Sequence, residues 1–170
     1  MFVKLLKKEN LTLNEIITII IYFVISFAIL LVFNYSHNIE LKKLLLSFYS
    51  SSTILFLYIF GYKSLRKMIF TQIWIFISLI HLIFFLLTKD NTDLFYKRGS
   101  AVSLFGYTFI AIILIQLFRF ISLKIQKKEL VCPSSGGIDM FDNRKTNFFD
   151  NIFFLLYILA VVGYIIIINE

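Results

Sequence analysis

Five stretches of this chain, 16–34, 44–61, 69–88, 101–123 and 148–168, run almost without charge. A helix of roughly 20 apolar residues reaches about 30 Å, the thickness of a bilayer's hydrocarbon core. At that depth there is no water, so each segment has to satisfy its own backbone amides, and the helix does so. The Ile and Phe content favours strand in water, but that preference loses here. The sequence therefore predicts an all-α, polytopic integral membrane helix bundle with five transmembrane helices. Hydrophobic residues make up 59% of the 170, against roughly 45–50% in a soluble domain. That leaves one transmembrane domain, 1–170, and no room for a second, soluble one. Span 44–61 is the polar member, carrying Ser47, Ser50, Ser51, Ser52 and Thr53. If it only dips into the membrane, four transmembrane helices remain.

The formal charge is +7, with 17 basic and 10 acidic residues. The basic residues sit mostly beside apolar runs, where the bias of Lys and Arg toward the cytoplasm accounts for them without nucleic acid. With the N-terminus inside and five crossings, Lys4, Lys7, Lys8, Lys63, Arg66, Lys67, Arg119, Lys124, Lys127, Lys128, Arg144 and Lys145 fall on the cytoplasmic side. Lys42, Lys43, Lys89, Lys97 and Arg98 fall outside. We expect a bacterial inner (plasma) membrane protein, N-in and C-out. The first span reads as an uncleaved signal anchor: it is too long for a signal h-region, and no A-x-A site follows it. Thr12-Leu13-Asn14-Glu15 before it has the form of a capping box.

The loop 124–147 is the longest polar stretch, and on this threading it is cytoplasmic. It holds the single proline, Pro133, and the single cysteine, Cys132. It is well beyond the usual helix–helix connection. Ser134-Ser135-Gly136-Gly137 invites a turn, and Asn147 with Asp150 can cap the fifth helix. Candidate partner-binding residues are Lys127, Lys128, Pro133, Asp139, Asp142, Arg144 and Lys145; the alternative is a solvated connector. Cys132 reads as a cytosolic thiol.

The polar residues at membrane depth form a second candidate set. His81 shares a helical face with Thr71, Trp74, Ser78, Phe85 and Thr88, at spacings of 3 and 4. An ionisable group in a span raises the possibility of a proton relay or switch. The plainer reading is a neutral histidine bonding a neighbouring helix. Gln116 and Arg119 lie three apart on span four. Gln116 is placed to bond across helices, and Arg119 to snorkel toward the interface. Thr18, Tyr22 and Ser26 line one face of span one. These, with Ser103, Gly106, Tyr107, Tyr157, Gly163 and Tyr164, have the texture of a packed bundle.

The sequence holds no H-E-x-x-H, no P-loop, no G-x-S-x-G and no Cys-x-x-Cys. We expect no catalytic residue, cofactor or metal. The expected partners are the lipid bilayer, further copies of the chain and a soluble cytoplasmic protein. The Ile/Phe/Lys/Asn-rich composition resembles that of small bacterial inner-membrane proteins from accessory genes. The expected function is a non-enzymatic subunit that recruits or regulates a soluble partner, as the membrane sensor or anchor of an anti-phage defence complex. The alternatives are an immunity protein against a pore-forming toxin, and a small channel or transporter subunit.

Overall fold

The computed structural model describes residues 10–97, 99–133 and 145–169. These form five long helices: α1 (Leu13–Tyr35), α2 (Ile39–Ile59), α3 (Met68–Thr88), α4 (Ser103–Gln126) and α5 (Phe148–Asn169). The chain is an all-α membrane helix bundle. By length and composition α1, α3, α4 and α5 qualify as membrane spans. The second helix forms at full length, 21 residues, but its polar content sets it apart from those four. Between α3 and α4 lies a small antiparallel hairpin, β1 (Phe95–Tyr96) with β2 (Gly99–Ser100), pairing Phe95 with Ser100.

Local chemistry moves the helix ends away from the edges of the apolar runs. The first helix starts early because Thr12 and Glu15 cap each other: the Thr12 amide donates to Glu15 Oε2 at 2.7 Å. The second starts at Ile39, where Asn38 Oδ1 accepts from the Leu41 amide at 3.0 Å, so Glu40, Lys42 and Lys43 are helical. The fourth runs on to Gln126 and stops where Lys127 turns left-handed, φ 54°. The fifth opens on the reciprocal Asn147–Asp150 pair, at 3.0 and 3.1 Å. We expect Asn147→Ala to cost about 1 kcal/mol, read as a lower unfolding midpoint in mixed detergent micelles.

The central helix is α4, packed against α2, α3 and α5, while α1 lies mainly along α2. Apolar side chains on α1 and α5, such as Ile20, Val24, Leu155 and Leu159, face outward, where the surrounding solvent is lipid. The Ser-rich helix α2 turns Ser50 and Thr53 inward, against α4. Its hydroxyls bond back to its own carbonyls, with Ser50 donating to Leu46 O at 2.9 Å and Thr53 to Tyr49 O at 2.8 Å. Polar groups satisfied in this way are compatible with bilayer depth.

Gly106 lets α5 close on α4. A Cβ there would collide with the Tyr164 hydroxyl and touch the Phe85 ring at 3.0 Å. Tyr164 also packs against Tyr107, the rings tilted by 54° with centroids 5.1 Å apart. Gly106→Leu is expected to displace Tyr164 and loosen α5, with an overpacking cost of about 1–3 kcal/mol. Proteolysis between α4 and α5 should then speed up.

Candidate functional site

Four helices meet at His81, which is 6% exposed on the inward face of α3. Its Nε2 lies 3.1 Å from the Tyr22 hydroxyl on α1 and 3.2 Å from the Tyr49 hydroxyl on α2. Its Nδ1 lies 3.2 Å from Thr108 Oγ1 on α4. The hydroxyls continue outward: Tyr22 to Thr53 at 3.2 Å, and Tyr49 to Ser26 at 2.6 Å. Rings close the cluster, with Phe105 edge-on to His81 at 5.1 Å and Trp74 at 4.7 Å from Tyr22.

One assignment of protons satisfies this knot with a neutral imidazole. Ser26 donates to Tyr22 O, Thr53 to Tyr49 O and Thr108 to Leu104 O. Thr108 Oγ1 is then an acceptor for Nδ1–H, which leaves Nε2 to accept from Tyr22 while Tyr49 donates to Ser26. No charge is required, and no carboxylate among the described residues hydrogen-bonds His81. The arrangement joins helices through polar side chains, each worth roughly 0.6–2 kcal/mol in a membrane.

A second polar cluster seals the end of the bundle where α1, α3 and α5 begin. Arg119 is 3% exposed and grips Glu129 with two bonds, Nε to Oε2 at 2.7 Å and a terminal nitrogen to Oε1 at 2.9 Å. Arg66 approaches the same carboxylate at 3.8 Å and donates to Leu130 O at 2.8 Å. Ser122 donates to Lys128 O at 2.9 Å. These contacts draw Leu130, Val131 and Cys132 into the core. Beside them Lys67 pairs with Glu15 at 2.8 Å, and Gln116 donates to Leu65 O at 2.7 Å.

The sequence-predicted residues therefore divide. His81 sits in the knot with Tyr22 and Ser26, both visible in the sequence as a polar face of the first span. Trp74 packs against its edge, its indole nitrogen without a hydrogen bond among the described residues. Ser78 is buried on the same face but donates to Ile75 O of its own helix. Gln116 bonds across to the α2–α3 turn. Arg119 does not snorkel: the chain reverses at Lys127 and returns Glu129 to it. Sequence reasoning missed Glu129, Tyr49 and Thr108. Lys127, Lys128 and Lys145 are exposed, and Pro133 is half-buried. Cys132 is a thiol, as the sequence predicts, and is buried, 7% exposed. Asp139, Asp142 and Arg144 lie outside the described residues. Among the described residues no cluster of His, Cys, Asp or Glu is placed to hold a metal ion.

No family model, no curated protein and no solved structure matches this chain.

Proposed function

We propose that this chain is a non-enzymatic membrane subunit that anchors a soluble cytoplasmic protein at its lysine-rich end. One observation carries the reading. Asn147 Nδ2 donates to Gln126 Oε1 at 2.5 Å, so the end of α4 and the start of α5 already touch. A few residues are enough to join helices placed like that. The chain instead makes an excursion over 127–146. Its first part folds back as a strap, held by Arg66, Arg119 and Ser122. That strap gives the end of the bundle a built surface, from which Lys124, Lys127, Lys128 and Lys145 project. Long excursions on a rigid scaffold are common sites of binding.

The positive end suits an acidic protein surface, and the excess of basic residues near it favours the cytoplasmic side. A defence-system sensor or anchor is the finer form of the proposal. It rests on composition, and the identity of the captured protein decides it. The test is co-purification of the tagged chain from its native host in mild detergent. We compare it with the variant carrying Lys124→Glu, Lys127→Glu, Lys128→Glu and Lys145→Glu. The expected result is a stoichiometric soluble companion that the variant loses while still inserting in the membrane. A chain that brings down no companion, or one indifferent to the four substitutions, contradicts the reading.

A further inference from the structure

The opposite half of the bundle holds a feature that anchoring does not use. A cleft of ≈ 240 Å³ opens between α1 and the α2–α4 core. Phe23, Phe27 and Leu30 of α1, Leu46 of α2 and Ile80 of α3 wall it. Tyr22, Ser26, Tyr49 and His81 of the knot line it, as does Phe33 near the end of α1. The walls carry no charged side chain, and the knot's hydroxyls bond one another and make no polar demand on an occupant. Leu30, Phe27 and Ile80 are also exposed on the outer surface, so the cleft is continuous with the lipid-facing side.

A cation lies beside one of the lining rings. Lys42 Nζ lies 5.3 Å above the Phe33 ring. It is half-buried, and it makes no ion pair among the described residues. Its neighbour Lys43 is held by Glu40 at 2.9 Å. An apolar slot at membrane depth, flanked by an ammonium near the helix start, matches an acyl chain joined to an anionic headgroup.

We propose that the cleft seats one chain of an anionic phospholipid from the surrounding bilayer, with its phosphate on Lys42. The chain lies between α1 and α3 and ends against the rings of Tyr22, Tyr49 and His81. Filling the slot adds packing to α1 between its contacts with α3 at Tyr22 and at Phe33, whose ring lies 5.3 Å from that of Phe84. This site is independent of anchoring at the other end, and either stands if the other fails.

Trp74 is the single tryptophan, and its ring lies 4.7 Å from that of Tyr22, which lines the cleft. It is fully buried, so it reports an inserted chain better than lipid sliding past. The full chain is reconstituted in phosphatidylcholine vesicles. Brominated-chain phosphatidylglycerol, or brominated-chain phosphatidylcholine, is then titrated in. We expect Trp74 quenching that saturates at a low mole fraction. Phosphatidylcholine has the same phosphate but its choline cancels the charge; one lysine beside a net anionic lipid is worth about 1 kcal/mol, a preference of about fivefold for phosphatidylglycerol. Lys42→Glu should erase the preference. Leu30→Phe and Ile80→Phe should each remove the saturating component, with unfolding midpoints showing that both variants fold. Quenching that rises linearly, regardless of headgroup and in every variant, overturns the site. Saturation without headgroup preference overturns the assignment to an anionic lipid at Lys42.

Discussion

His81→Leu is expected to destabilise the bundle by about 2–3 kcal/mol. The imidazole donates to Thr108 on α4 and accepts from Tyr22 on α1, and interhelical bonds of this kind contribute roughly 0.6–2 kcal/mol each. The loss is held below the full sum because Tyr22 can turn its proton to Thr53, while Tyr49 keeps Ser26 and Thr108 keeps Leu104 O. His81→Gln can reach part of the same set and should fall between the two. Reversible unfolding in mixed detergent micelles gives the numbers. A His81→Leu midpoint equal to that of the parent would mean that the knot is not holding the helices together.

A second large effect is expected at Glu129. Glu129→Ala removes the two-bond carboxylate from Arg119, which is 3% exposed, and the carboxylate 3.8 Å from Arg66. Removing one partner of a buried pair costs about 3–5 kcal/mol; Glu129's own side chain is 27% exposed, which places the expected loss near the lower figure. Adding Arg119→Leu should recover part of it, since the buried guanidinium goes too. The strap offers a local readout. Cys132 is buried behind Glu129, so its thiol should react slowly with a maleimide in the parent and quickly in Glu129→Ala. Equal rates would mean that the ion pairs do not hold the strap down.

The spans were readable because a run of apolar residues as long as a bilayer is thick has one backbone solution. The second helix was harder. Its serines lower its hydropathy, and the reason for them is tertiary: Ser50 and Thr53 face inward, among helices that are themselves greasier. The periodicity of 3 and 4 around His81 marked the inward face of α3. Its partners were a different matter, because Tyr49 and Thr108 depend on how α2 and α4 are rotated and staggered. Arg119 misled for a related reason. Snorkelling is the local expectation for an arginine near a span end, and the acid that overrides it arrives only after the reversal at Lys127. The two-residue strands of the hairpin are too short to leave a pattern.

Anchoring a cytoplasmic protein at the lysine-rich end requires that α2 cross the membrane and that this end face the cytoplasm. Single cysteines at His37, Lys63 and Lys124, each in a Cys132→Ala background, test both directly. Intact spheroplasts are treated with a membrane-impermeant maleimide, before and after permeabilisation. Labelling of position 37 from outside, with 63 and 124 reached only after permeabilisation, is the expected result. Positions 37 and 63 on the same side would mean that α2 does not cross. Position 124 labelled from outside would put the lysine-rich end away from the cytoplasm and contradict the anchoring role.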